Sequence, residues 1–194
     1  MRIFLATGNK NKIKEIEKIF NVEGIEILSI NDGINIPDVK EDGDTFEKNS
    51  QKKALEIAKF TNMITIADDS GLCVEALNGE PGVFSARYAG EKATDEENNK
   101  KLIYVLKGIK NRKAKFVCVI TLAKPTGETY SFKGEVCGEI IDEPRGEYGF
   151  GYDPYFYIKE YGKTTAEMPD KKNEISHRSI ALKLLKENLF EILK

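Results

Sequence analysis

The sequence predicts an α/β protein built on a mixed sheet. Three observations carry that expectation. Apolar runs of strand length alternate with stretches of helical periodicity through the first half of the chain. Two long β-rich segments then flank a short turn, and an amphipathic helix closes the chain. At 194 residues there is enough chain for one sizeable core, and a single two-lobed domain over 1–194 is expected.

Residues 2–6 read as a buried strand. Ile13, Ile16 and Phe20 recur at helical spacing, so a helix runs from Asn9 to about residue 21. "IEILSI" (25–30) is a second strand, and 31–44 form a loop rich in Gly, Pro and Asp. Thr45 is positioned to cap a helix carrying Phe46, Ala54, Ile57 and Ala58 on one face. "MITIADDSGLCVEAL" reads as a strand broken by a turn at Ser70-Gly71 and then resumed. Residues 78–90 have the composition of an ordered loop. Thr94 and Glu97 form a capping box for a helix that stops at Gly108. "KAKFVCVITLAK" and "ETYSFKGEVCGEII" flank Pro125-Thr126-Gly127 as a β-hairpin. A Gly-rich loop (146–154) precedes the short strand "YFYI", and an amphipathic helix begins near residue 174.

Composition excludes several classes. Apolar residues make up 40% and charged residues 32%, which is globular rather than disordered. The net charge of -2 gives no reason to expect a protein that coats nucleic acid. No apolar run is long enough to cross a bilayer, and "RIFLA" is too short for a signal peptide and leads straight into a helix. Cys73, Cys118 and Cys137 form no CxxC pair, so buried reduced thiols in a reducing cytoplasm are expected, not a zinc or redox site.

Four stretches carry candidate chemistry. In "TGNKNK" (7–12) a helix starts directly behind a strand, so unpaired backbone N–H groups and a positive dipole end meet Gly8, Lys10 and Lys12. That is a phosphate site or an ordinary β–α turn with solvated lysines. In "IADDSGL" two carboxylates follow an apolar strand. Adjacent strand residues face opposite sides, so Asp68 and Asp69 share one ion only if Ser70-Gly71 turns the chain. Oxygen ligands without His or Cys suit Mg²⁺, and Glu41 in the acidic loop is a further ligand or a solvated charge. "GEYGFGYDPYF" places Phe150, Tyr152 and Asp153 among glycines: either an exposed ring for stacking beside a carboxylate for ring N–H groups, or a tight loop with tucked-in aromatics. "MPDKKNEISHRS" holds His177, the only histidine, next to Arg178.

"LATGNKNKIKEI", "IADDSGL", "GEPGVFSARYAG", "FGYDPYF" and "ISHRSIALKLL" stand in order across nearly the whole chain. Together they resemble the inosine/xanthosine triphosphate pyrophosphatase family, which hydrolyses non-standard purine nucleoside triphosphates to monophosphate and pyrophosphate. The resemblance implies an α/β fold in which a long mixed β-sheet, flanked by helices, floors a cleft between two lobes, usually in a homodimer. It implies that Thr7, Gly8, Asn9 and Lys12 contact the triphosphate, with Lys10 and Asn11 in the same segment and Lys53 approaching from the second helix. Asp69 matches the general base, Glu41 and Asp69 match magnesium ligands, and Asp68 lies within reach. Ser70 lines the substrate, while Phe150, Gly151, Tyr152, Asp153, Lys172, His177 and Arg178 match the base pocket. Arg178, a donor-only side chain, is expected to select the 6-oxo group of ITP, XTP and dITP. A purine nucleoside triphosphate is the implied partner, with no nucleic acid and no membrane. The competing readings are a pyrophosphatase for modified or pyrimidine nucleotides, and a non-enzymatic nucleotide- or RNA-binding module.

Overall fold

The structure, a computed structural model, describes residues 1–194. β1 (Arg2–Leu5) is buried beyond its first residue. Asn9 then caps α1 (Lys10–Ile19), its side-chain oxygen accepting the N–H groups of Asn11 and Lys12 at 2.9 and 3.2 Å. β2 (Glu26–Leu28) stops short of the expected strand because Ser29 opens a 3₁₀ turn, Ile30–Asp32, with its own capping box. Thr45 caps α2 (Phe46–Thr61) as expected, accepting Lys48 N–H at 3.2 Å.

β3 (Thr65–Val74) corrects the sequence expectation: it runs through Ser70-Gly71 without a turn. Gly71 serves close approach instead. A Cβ there would lie 2.3 Å from Ser85 Oγ and 2.5 Å from the Gly82 carbonyl oxygen. The absent side chain lets Ser85 Oγ accept the next amide, that of Leu72, at 2.9 Å.

α3 (Asp95–Val105) opens on the Thr94–Glu97 capping box. β4 (Lys113–Ala123) and β5 (Thr129–Ile140) are joined by a tight turn in which Lys124 N–H reaches Glu128 O at 2.9 Å and Gly127 N–H reaches Lys124 O at 3.0 Å. β6 (Phe156–Ile158) and β7 (Lys163–Thr164) follow. The short helix α4 (Pro169–Ile175) was not expected: it carries too few apolar residues to show a helical stripe. α5 (His177–Ile192) is the C-terminal helix, beginning three residues later than its predicted start near 174.

The seven strands form one mixed sheet in the order β2-β1-β3-β4-β5-β6-β7. β1 pairs in parallel with both β2 and β3, while β5–β6 and β6–β7 are antiparallel. No helix is long and apolar enough to cross a membrane.

The chain divides into two compact units: Met1–Asp69 with Cys118–Gly134 and His177–Lys194, and Ser70–Val117 with Glu135–Ser176. In the first, strand alternation sorts the core onto two faces. Ile3, Leu5 and Ile66 pack with Ile13 and Ile16 of α1 and Leu182 and Leu185 of α5. Phe4, Ala6 and Ala67 pack with Ala54 and Ile57 of α2. The second unit has its own core around Leu72, Leu102, Phe116, Tyr152 and Phe156.

The cysteines are free but not all buried, contrary to expectation: Cys118 is buried, Cys73 half-buried and Cys137 exposed. Cys137 shares the exposed side of β5 with Lys133 and Glu139, which explains its exposure. Burial pushes the Cys118 thiol up to about 12, so it holds almost no thiolate at neutral pH. A disulfide-exchange reagent is expected to label Cys137 first in the native protein and Cys118 only after denaturation. Equal rates for Cys118 and Cys137 in the native state would contradict the packing.

Candidate active site

β1 is flanked on opposite sides by its two parallel neighbours: the chain steps from β1 to β2 on one side and then crosses back to β3 on the other. Crevices at the carboxyl ends of such strands are where α/β proteins bind ligands. The Thr7–Lys12 turn occupies that end. Thr7 Oγ1 accepts Asn9 N–H at 3.2 Å, and Asn9 caps α1. The cap takes the amides of Asn11 and Lys12 and leaves those of Gly8 and Lys10 for another acceptor. Gly8 has no steric need of its own: a Cβ there would meet only Ile30 Cδ1, at 3.9 Å. Its exposed backbone is open to close approach. Lys10 and Asn11 are exposed on the same turn.

The register Leu5↔Ile66 lets β3 continue past the end of β1 through Ala67, Asp68 and Asp69, alongside this turn. Alternation then separates the two carboxylates. Asp68 follows Ile66 onto the face of α1 and α5, and Asp69 follows Ala67 onto the face of α2. Because β3 does not turn, the two do not share an ion as the sequence allowed.

Asp68 is wholly buried and faces cations: Lys12 Nζ at 3.0 Å and Arg178 Nη2 at 3.1 Å. Burial alone would raise its pKa, but Lys12, Arg178 and Lys53 outweigh that and hold it well below the usual carboxylate range. Arg178 is 1% exposed and also donates through Nη1 to Glu15. Burial opposes its charge, and Asp68, Cys118 and Glu15 more than offset that. The guanidinium of Arg178, expected at the base, is engaged by two carboxylates of its own unit and acts as a neutralising partner for Asp68.

Asp69 is different. Burial is the largest influence on it, with Glu41 acting in the same direction, and its pKa is pushed up to about 6 despite the opposing effects of Asn49, Lys12 and Lys53. Asn49 Nδ2 donates to Asp69 Oδ2 at 2.9 Å, and Gly43 N–H holds Asn49 Oδ1 at 2.7 Å, so the carboxylate is oriented from α2. Sequence reading missed Asn49. The signal was there: it is a polar residue one turn before Lys53 and Ala54, on the buried side of an amphipathic helix. Lys53 pairs with Glu41, and its charged form is favoured by Asp68, Glu41 and Asp69 in spite of burial. Glu41, Lys53, Asp69 and Lys12 thus act on one another in one place. Ser70, half-buried, continues β3 from Asp69.

In the second unit the loop before β6 is drawn around Asp153. Its Oδ2 accepts Phe150 N–H at 2.8 Å and Lys172 Nζ at 2.6 Å, and its Oδ1 accepts Thr165 Oγ1 at 2.8 Å. Gly149 makes this possible: its φ is +82°, and a Cβ there would lie 2.2 Å from Asp153 Oδ2. Asp153 therefore organises the loop, with both oxygens carrying protein donors. Lys172 Nζ sits 4.8 Å from the centre of the half-buried Phe150 ring. Tyr152 is not the exposed ring the sequence allowed. It is 5% exposed, and its hydroxyl donates to Ser85 O at 2.7 Å. Thr165 was not anticipated, because its partner lies in a different loop. His177 is buried at the start of α5.

A profile described as the Ham1 family matches residues 3–188. The chain belongs to the Ham1 family. Among its relatives, a protein of Geobacter sulfurreducens named dITP/XTP pyrophosphatase is 50% identical over 191 residues, covering 97% of this chain and 96% of the relative. A Clostridium perfringens protein of the same name is 50% identical over 203 residues, covering 100% and 99%. The solved Ham1 protein of Staphylococcus aureus superposes with a TM-score of 0.89 at 46% identity, covering 99% of this chain and all of that one. The mixed sheet flanked by helices is the Ham1 architecture.

Proposed function

We propose that the chain hydrolyses non-standard purine nucleoside triphosphates (ITP, dITP and XTP) to the nucleoside monophosphate and pyrophosphate, removing them from the nucleotide pool. The observation that carries this is the cluster at the ends of β1 and β3. There a buried, Asn49-oriented Asp69 stands with Glu41, Lys53 and Lys12 beside a glycine turn in which the Asn9 cap takes the amides of Asn11 and Lys12 and leaves those of Gly8 and Lys10.

The triphosphate is assigned to Gly8, Lys10, Lys12 and Lys53, backbone donors and ammonium groups that neutralise phosphate charge. Glu41 and Asp69 are the residues that would hold magnesium. They fit, because Asp69 and Glu41 burden each other with negative charge that a cation relieves, and Mg²⁺ needs few protein carboxylates when waters and phosphates complete its shell. When bound, the ion polarises phosphoryl oxygens and orients the reacting groups. Asp69, fixed by Asn49, aligns a water and takes its proton as the water oxygen bonds to the α-phosphorus. The α–β bridging P–O bond breaks, and pyrophosphate leaves along the lysines. A carboxylate pushed up to about 6 is well matched to that task near neutral pH. Phe150, Lys172 and His177 are assigned to the base, and Asp153 to holding Phe150 and Lys172 in place. The resemblance supports a homodimer in the cytoplasm.

Side-by-side turnover of ITP, XTP, dITP, GTP and ATP in ¹⁸O-water tests the proposal. Label is expected in the nucleoside monophosphate, with unlabelled pyrophosphate. Label in orthophosphate alongside a nucleoside diphosphate overturns attack at the α-phosphorus, and equal rates on ATP and ITP overturn the substrate class.

A further inference from the structure

The helix α3 begins with Asp95 and, one turn on, Asn99, so the two share a face. Both reach the same glycine. Asp95 Oδ2 accepts Gly151 N–H at 2.7 Å, and Asn99 Nδ2 donates to Gly151 O at 2.9 Å. Gly151 stands between Phe150 and Tyr152, with a left-handed φ of +61° and nothing near a Cβ position. It is held by its backbone alone.

The hydrogen-bonding chemistry says why these residue types stand there. Asn99 is 7% exposed, and its Oδ1 is buried without a hydrogen-bond partner. A buried acceptor left unsatisfied is costly, and an apolar side chain of that shape would avoid the cost. The amide is explained by the one donor it presents to Gly151 O. Asn98, its neighbour, does the same for the preceding loop: its Oδ1 accepts Ala89 N–H at 2.8 Å, and its Nδ2 donates to Ala86 O at 3.1 Å. The start of α3 is thus a bracket for two loops.

We propose that Asp95 and Asn99 are positioning residues for base recognition. They grip the peptide units on both sides of the Gly151 Cα and so set where the Phe150 ring stands for the purine. The proposal rests on the assignment of Phe150 to the base. It predicts an effect on substrate binding and little on the chemical step, since neither residue belongs to the Asp69 cluster.

Asn99→Asp keeps the shape but replaces the donor facing Gly151 O with an acceptor. Asp95→Ala removes the acceptor from Gly151 N–H, and Asp95→Asn keeps one. For Asn99→Asp and Asp95→Ala, KM for dITP and XTP is expected to rise ~10-fold with kcat within about twofold of wild type, the signature of lost ground-state binding. Backbone amide exchange over 146–153 should quicken in the same two variants, and Asp95→Asn should stay near wild type in both readouts. An unchanged KM in Asn99→Asp and Asp95→Ala, or a fall in kcat at constant KM, overturns the proposal. Faster exchange with an unchanged KM overturns it too, by showing a clamp that does not serve the base. If the wild type itself turns over none of the triphosphates, the functional reading fails. Unchanged exchange in Asn99→Asp and Asp95→Ala then still refutes the clamp on its own.

Discussion

Asp69→Asn is expected to lower kcat by at least ~10²-fold while leaving the fold intact, the lower end of what a positioned general base contributes. The side chain keeps its size, and the new amide can turn its oxygen to Asn49 Nδ2, which now donates to Asp69 Oδ2 at 2.9 Å. The burial that pushes Asp69 up to about 6 favours a neutral group, so the substitution removes an unfavourable buried charge and should not reduce stability. A second readout separates a lost base from a lost fold. Magnesium added to the wild-type protein without nucleotide is expected to raise Tm, because binding to the native state alone is stabilising. In Asp69→Asn that rise should shrink or vanish, whereas Tm without metal should hold or increase. Near wild-type turnover at saturating magnesium would remove Asp69 from the chemistry. A normal magnesium shift together with lost turnover would keep it as the base but not as a ligand.

The sequence carried the main lines of this site because its signals are local. A strand, a glycine turn and the start of a helix lie within one short segment, and the structure makes Asn9 the cap of α1. The two carboxylates of "IADDSGL" were visible too, as was the rule that neighbours on a strand face opposite sides. What failed was the reading of Gly71 as a turn. Its need for a hydrogen side chain comes from Ser85, fourteen residues on, and only the folded backbone brings that hydroxyl within 2.3 Å of where a Cβ would be. With the turn removed, alternation alone separates Asp68 from Asp69. Tyr152 failed for a related reason. Glycines on both sides made an exposed loop plausible, but the loop folds inward around Asp153, and the ring joins the core. α4 escaped notice because Lys172, its buried residue, is charged and finds its partner in Asp153 rather than in an apolar stripe.

Arg178 is the case where sequence and structure lead to opposite experiments. A donor-only side chain next to His177 fits selection of a 6-oxo group, and its removal would then collapse the preference for ITP over ATP. The structure instead engages both terminal nitrogens, Nη1 with Glu15 and Nη2 with Asp68, across 163 and 110 positions of sequence that no spacing rule can bridge. Arg178→Met is therefore expected to reduce turnover of ITP, XTP, dITP and ATP by the same factor, leaving their ratios unchanged. It should also destabilise the protein by ~3–5 kcal/mol, the cost of breaking a buried pair from one side, because Asp68 keeps its charge while wholly buried. Lys12 remains at 3.0 Å and Lys53 nearby, which places the loss toward the lower end of that range. Glu15 is more exposed and can rehydrate, so it adds little. The double variant Asp68→Asn/Arg178→Met removes both charges and should recover part of the stability, a coupling that a double-mutant cycle in denaturant measures directly. A selective loss of ITP turnover with unchanged stability would return Arg178 to the base. Equal losses on every triphosphate, with recovered stability in the double variant, identify it as the counter-charge that lets Asp68 stay buried next to Asp69.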